Sequence, residues 1–148
     1  MEIFFKPKTT IMNSKLIVRG LVGGLSYFLL GWVVWGMLLM NFMMAHGSSA
    51  ATAVYRAEAD FIWWAMILGN LSFGFLLTYV LDKSKITDLK ESAMTGALVG
   101  LLLSSGVDLM MFAQMNLMDL TGVVTDIAAM TFVSGVVGAI ISLLKGSK

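Results

Sequence analysis

The chain alternates between long apolar runs and short polar segments. A helix needs about 20 apolar residues to cross roughly 30 Å of hydrocarbon. Four runs meet this length, and they predict transmembrane helices at 21–44, 61–81, 93–115 and 123–144. The segments around them are predicted as a tail at 1–20, an outer loop at 45–60, an inner loop at 82–92, an outer loop at 116–122 and a tail at 145–148. A barrel strand would give shorter, alternating segments, so the fold class is all-α: one polytopic membrane domain forming a four-transmembrane-helix bundle.

Composition supports a membrane location. The chain is 58% hydrophobic and 13% charged, which leaves too little polar surface to cover a water-soluble globule of this size. The lipid bilayer is therefore its main surroundings. The absence of cysteine excludes disulfides and thiolate metal sites, and a net charge of +1 gives no indication of nucleic-acid binding.

Basic residues set the predicted orientation. Lys and Arg concentrate in the cytoplasmic loops of membrane proteins. Nine of the ten basic residues fall on one side of the predicted bundle, and only Arg56 falls on the other. The nine are Lys6, Lys8, Lys15, Arg19, Lys83, Lys85, Lys90, Lys145 and Lys148. This pattern predicts a multi-pass protein of a bacterial inner membrane with both termini in the cytoplasm.

Asp108 is the most unusual polar residue, because it lies within the third span. Gly96, Gly100 and Ser104 precede it at steps of four, and Ser105 lies three before it. Small residues at this spacing allow close helix packing, so the face is expected to meet a neighbouring helix and to turn Asp108 into the bundle. There its carboxyl group either stays protonated and donates to Asn70, Asn41 or a serine, or ionises opposite a cation or a water-filled cleft.

Two acids of the outer loops or helix ends are assigned a simpler role. Asp60 and Asp126 are expected where helices begin, since an anion is stabilised near the positive end of the helix dipole. Their presence would then need no functional explanation.

An internal similarity relates the two halves of the chain. Met40-Asn41-Phe42-Met43 near the end of the first span resembles Met115-Asn116-Leu117-Met118 at the end of the third. Two tandem helical hairpins related by duplication would place Asn41 and Asn116 at equivalent positions on the outer side. Random matching of apolar helices gives similar patterns, and both explanations remain open.

Methionines also cluster in the outer half. Met40 with Met44, and Met111 with Met115, lie four residues apart and so share a helix face. This spacing resembles the methionine pair of copper-uptake channels, and thioethers prefer soft ions such as Cu(I). Methionine is more often a filler of irregular apolar packing. No metal site and no cofactor is therefore predicted.

Glycine spacings predict helix packing. Gly20 and Gly24 lie near the start of the first span, and Gly96 and Gly100 lie near the start of the third. Such small-residue faces pack within one chain or between chains.

The segment Gly24-Leu-Ser-Tyr-Phe-Leu-Leu-Gly-Trp-Val-Val-Trp-Gly36 resembles small four-span bacterial membrane proteins of uncharacterised function. That resemblance implies the topology and no activity.

Two function classes follow. The sequence shows no nucleophile and base at a readable spacing, and the single His46 is expected to be a solvated loop residue, so no enzyme is predicted. The preferred hypothesis is a structural or accessory subunit that assembles through its small-residue faces into a homo-oligomer or a larger membrane complex. The alternative is a small cation or proton transporter that uses Asp108.

Overall fold

The computed structural model describes residues 14–145. The remaining parts of the two predicted tails, 1–13 and 146–148, lie outside the described residues. Six α-helices follow one another: α1 (Ser14–Val33), α2 (Met40–His46), α3 (Ala51–Val54), α4 (Trp63–Lys83), α5 (Leu89–Gln114) and α6 (Leu120–Leu143). A π-helical segment, Val34–Leu38, joins α1 to α2, and a 3₁₀ turn, Glu58–Asp60, precedes α4.

Four helices are long and apolar enough to cross a membrane. They comprise α1 with its π-helical extension, α4, α5 and α6, and no β-strand occurs within 14–145. The prediction of an all-α, four-span bundle is confirmed, and the chain is a multi-pass membrane protein.

The helix ends differ from the predicted spans by one to seven residues. α1 starts at Ser14 instead of residue 21, so Lys15 and Arg19 belong to its first two turns and not to a tail. α5 starts at Leu89 because the Asp88 side chain accepts a hydrogen bond from the Glu91 N–H and caps the helix. Hydropathy marks the part of a helix in contact with lipid, whereas capping groups decide where the helix itself ends.

Asp126 corrects one expectation. α6 begins at Leu120, and its N-cap is Asp119, whose side chain accepts from the Gly122 N–H at 2.8 Å. Asp126 is therefore six residues inside the helix, about 9 Å from its first residue. The prediction that Asp126 begins a helix was wrong, because Asp119 already serves that purpose.

The spans form two antiparallel hairpins, α1 with α4 and α5 with α6. The hairpins meet mainly where α1 packs on α6. All helix ends that carry Lys15, Arg19, Lys83, Lys85 and Lys145 lie together, and this side of the bundle is called the basic end. The opposite side, with Glu58, Asp60 and Asp119, is called the acidic end.

Packing is densest toward the basic end. Six buried residues from α1, α4 and α6 make the core there, namely Tyr27, Leu77, Leu81, Val133, Val137 and Ile141. In contrast, residues 63–69 of α4, toward the acidic end, are all exposed in the isolated chain. The bundle is thus closed in its basic half and more open in its acidic half.

Hydrogen bonds fasten α2 to the start of α6 at the acidic end. The Asp119 N–H donates to the His46 carbonyl at 2.9 Å, and the Ser48 N–H donates to the Leu117 carbonyl at 2.9 Å. The His46 ring nitrogen Nδ1 lies 2.7 Å from Oδ2 of Asp119, and it carries the hydrogen because a carboxylate can only accept. The hydrogen bond from His46, helped by that from Gly122, lowers the pKa of the Asp119 carboxyl below its usual range.

Candidate functional site

The α5–α6 interface consists of two regular rows, one on each helix, in which every residue but Met130 is small or polar. On α5 the row is Ser92, Gly96, Gly100, Ser104 and Asp108; on α6 it is Asp126, Met130, Ser134, Gly138 and Ser142. Both rows advance by four residues, which keeps each on one slanted helix face. Because the helices are antiparallel, the first members of one row meet the last members of the other.

Contact between the two rows is close enough to require glycine. A Cβ atom added at Gly100 would lie 2.4 Å from the Ser134 hydroxyl, and one at Gly96 would lie 2.3 Å from the Ser134 carbonyl oxygen. One at Gly138 would lie 2.4 Å from the Ser92 carbonyl oxygen. The face that bears Gly96 and Gly100 thus packs on α6.

Two carboxyl groups meet at the end of this interface. Asp108 on α5 interacts directly with Asp126 on α6. Asp108 is six residues before the end of α5 and Asp126 six residues after the start of α6, so each lies about 9 Å inside its helix end. The structure thus places an acid pair within the spans, in the half of the bundle toward the acidic end.

The π-helical segment supplies a donor to this pair. The Leu39 N–H donates to the Val34 carbonyl at 2.7 Å, five residues back, which widens the turn and changes the direction of the side chains around it. Within the segment, the Trp35 indole Nε1–H donates to Oδ1 of Asp126 at 2.5 Å. The acid pair is therefore held between both hairpins: α5 and α6 supply the carboxyl groups, and the first span supplies the indole.

A small cavity adjoins Asp108. Its volume is about 40 Å³, enough for one water molecule. The walls besides Asp108 are apolar and come from the end of α5, the following loop and the start of α6: Met111, Phe112, Met115, Leu117, Met118 and Val123. Oδ2 of Asp108 is buried and has no hydrogen-bond partner within 14–145. The cavity therefore lies between the acid pair and the acidic end, and Asp108 forms part of its wall.

Asp108 does not meet the partners predicted for it. Asn70 donates instead to the Met66 carbonyl on its own helix at 2.8 Å, and Ser104 donates to the Gly100 carbonyl at 2.8 Å. Within residues 14–145, the side-chain contact recorded for Asp108 is with Asp126 and not with Asn70, Asn41 or a serine. Ser104 is buried and Ser105 is half-buried on the same helix.

The two asparagines of the internal similarity lie apart from the acid pair. Asn41 is exposed on α2, and Asn116 is exposed in the loop between α5 and α6. The backbone carbonyl of Asn116 accepts a hydrogen bond from the Ser48 hydroxyl. The two-hairpin arrangement fits a duplication, and the duplication itself stays a prediction.

The two predicted methionine pairs lie in different places. Met111 and Met115 line the cavity beside Asp108, while Met40 and Met44 are 51% and 69% exposed on α2 and do not line it. Within residues 14–145 no group of three or more His, Asp or Glu side chains could hold a metal ion. Two of the four candidate thioethers thus contribute to the site as apolar walls.

The other glycine face is also used inside the chain. A Cβ atom at Gly24 would lie 2.6 Å from the Leu71 Cα on α4, and one at Gly20 would lie 2.3 Å from the Phe75 ring. These two glycines pack α1 on α4 within the first hairpin, as Gly96 and Gly100 pack α5 on α6 within the second.

The chain matches no protein-family model, no curated protein and no solved structure. The geometry of the acid pair is therefore the basis for a functional proposal.

Sequence reasoning missed Asp126 and Trp35. The row on α6 was visible as Asp126, Ser134, Gly138 and Ser142, all spaced by multiples of four, and it would have indicated the partner of Asp108. Trp35 had no comparable signal, because its direction depends on the π-helical segment.

Proposed function

We propose that this protein binds and releases a proton at the Asp108–Asp126 pair and thereby moves protons across the membrane. The observation that carries the proposal is the direct contact of two carboxyl groups within the spans. Two adjacent negative charges repel strongly at low dielectric constant. The sequence contains no Lys or Arg between residues 91 and 144 or between 20 and 55, so a shared proton is the simplest counter-charge.

The surroundings favour a proton over a metal cation. Hard cations such as Ca²⁺ need six or more oxygen ligands, and Mg²⁺ needs near-octahedral geometry. The cavity beside Asp108 has apolar walls, and one oxygen of Asp126 already accepts from Trp35. A proton needs only two oxygen atoms, and the pair supplies them.

Each carboxyl group has a distinct role in this proposal. Trp35 donates a hydrogen bond to Asp126 and thereby fixes the position of its carboxyl group. Asp108 shares the proton with Asp126, and water in the adjoining cavity exchanges it. With the basic end in the cytoplasm, as the distribution of Lys and Arg predicts, this exchange takes place with the outside.

Proton flux into liposomes tests the proposal. Purified full-length protein is reconstituted with an internal pH dye, and a potassium diffusion potential drives proton entry. Asp108→Asn and Asp126→Asn each retain a hydrogen-bonding side chain of nearly the same shape but cannot bind and release the proton. We expect wild-type flux above that of protein-free liposomes, and flux at the protein-free level for both variants.

Asp60→Asn is the matched control, since Asp60 is exposed in the 3₁₀ turn and outside the pair. Its flux should equal that of the wild type. Absence of wild-type flux under any gradient, or full flux in Asp108→Asn, would refute proton transport by this pair.

The accessory-subunit hypothesis has one observation in its favour. Residues 63–69 of α4 are exposed all round in the isolated chain, including Trp63 at 51% and Trp64 at 68%. A partner helix would cover this part of α4 as readily as lipid. Extraction in mild detergent followed by size measurement distinguishes the cases: an accessory subunit comes out in a larger complex that Asp108→Asn leaves intact, and a lone transporter comes out as this chain only.

A further inference from the structure

A cluster of charged side chains closes the basic end. Arg19 on α1 donates from both terminal nitrogens to Asp82 on α4, at 2.6 and 2.9 Å. Lys145 follows α6, and its Nζ lies 3.2 Å from Oδ1 of the same carboxylate. Lys145 also donates to the Ile86 carbonyl at 2.6 Å. Arg19, Asp82 and Lys145 thus join three of the four spans.

An open pocket lies over this cluster. Its volume is about 280 Å³, and its lining includes Lys15, Arg19, Asp82, Lys85, Thr87 and Lys145. Four basic side chains and one carboxylate give the lining a net formal charge of +3. Such a pocket suits a small anion with several oxygen atoms.

Lys15 and Lys85 remain available for such an anion. Asp82 already pairs with Arg19 and Lys145, and neither Lys15 nor Lys85 has an acidic partner within residues 14–145. Their exposed side chains lie on two sides of the pocket, one from the first turn of α1 and the other from the loop after α4.

Lys85 is in an unfavourable backbone conformation. Its φ of 56° is in the left-handed region, where a helix usually ends with glycine. A residue with a Cβ is strained there. The chain therefore has a lysine side chain at this edge of the pocket although glycine would suit the backbone better.

The level of the pocket indicates the source of the anion. α6 has 24 residues and is ~36 Å long, against about 30 Å of hydrocarbon. Its end, with Leu144 and Lys145, therefore reaches the headgroup layer. Basic pockets between helices at this level bind the headgroups of anionic lipids.

We propose that the pocket at the basic end binds the phosphate group of an anionic phospholipid, with Lys15 and Lys85 as its direct contacts. Arg19 and Lys145 contribute positive charge from beneath while Asp82 holds them in place. Free phosphate shares the chemistry, but it lacks the acyl chains that keep a lipid headgroup at this level.

Lipid binding to the purified full-length protein tests this proposal. Phosphatidylglycerol, which carries one negative charge, is titrated into the detergent-solubilised protein and compared with zwitterionic phosphatidylcholine by native mass spectrometry. The double variant Lys15→Gln/Lys85→Gln removes the two available charges and leaves the Arg19–Asp82–Lys145 cluster intact. Gln has the same left-handed strain as Lys at position 85, so the backbone contribution is unchanged.

Lys83→Gln/Lys90→Gln is the matched control. It removes the same charge from the same end, outside the pocket lining. We expect wild-type protein to prefer phosphatidylglycerol, and the pocket variant to bind it about 25-fold more weakly, at ~5-fold per lysine. The control variant should stay close to wild type.

Three results would overturn the assignment. Equal losses in the pocket and control variants would mean that only general surface charge attracts the lipid. Equal binding of the two lipids would exclude recognition of headgroup charge. Displacement of bound lipid by an equal concentration of inorganic phosphate would identify free phosphate, and not a lipid, as the ligand.

Discussion

Gly74 on α4 sits at the closest approach of α1 and α4, and its replacement by alanine should separate them. A Cβ atom there would lie 2.0 Å from the Gly24 nitrogen and 2.6 Å from the Gly23 carbonyl carbon. These are backbone atoms, so no side chain can turn aside. The shorter distance falls 1.4 Å below the 3.4 Å at which ordinary contact begins, and the helices must part by about this amount.

The cost follows from what lies beside the crossing. Tyr27 and Leu77 are 4% and 0% exposed within a turn of it, so separation also loosens the core. Overpacking a well-packed interface costs about 1–3 kcal/mol, and a gap of about 1 Å removes up to half of the dispersion energy of the lining atoms. We expect Gly74→Ala to lower the free energy of unfolding by about 3 kcal/mol.

Gly69 provides a control on the same helix. A Cβ atom at Gly69 meets nothing within 4 Å, so Gly69→Ala only improves helix propensity, by up to about 1 kcal/mol. Reversible unfolding in mixed micelles, followed by tryptophan fluorescence, measures both variants. Equal effects of the two substitutions, or a loss under about 0.5 kcal/mol for Gly74→Ala, would refute the close crossing of α1 and α4.

Two further predictions concern the ends of the bundle. Asp82→Asn removes the carboxylate that pairs with Arg19 and Lys145, whose side chains are only 11% and 10% exposed. The same unfolding assay should therefore show a free energy of unfolding lower by about 3 kcal/mol. An unchanged unfolding midpoint would contradict the ion cluster. At the acidic end, the contact with His46 lowers the pKa of the Asp119 carboxyl below its ordinary value of 3.8. The stabilisation from this contact is therefore complete above pH 3.8. It is lost as the pH falls through the lower pKa that Asp119 has in the folded protein. In His46→Ala the Asp119 carboxyl resonance should titrate closer to 3.8, and an unshifted NMR titration would show that His46 does not lower this pKa.

Sequence could predict the spans because long uncharged runs have few alternatives to a membrane helix. It also predicted that Asp108 faces the bundle interior, since the glycines and serine before it repeat every four residues. The sequence did not identify Asp126 as the partner of Asp108, because Asp126 was assigned to a helix start that Asp119 in fact caps. A boundary error of a few residues thus concealed half of the acid pair.

The contacts of Arg19 and Trp35 join residues far apart in the chain, and no local sequence pattern marks them. Arg19 was assigned to a tail because arginine interrupts the apolar run, yet it is buried through its pairing with Asp82, 63 residues away. The Trp35 contact requires both the π-helical segment and the packing of α1 on α6. Neither pairing has a local pattern, so neither could be predicted.

The packing beneath the acid pair bears on how protons would cross. Between Asp108 and the basic end, α5 and α6 touch at Gly100 and Gly96 too closely for even an added methyl group, so the two helices are in direct contact there. The cavity lies on the other side of the pair, toward the acidic end. Under the proposed function, a site reached from one side only would correspond to a carrier in one of its two states and not to an open channel. Release toward the basic end would then require the interface to open, which predicts slow, saturable flux in the liposome assay.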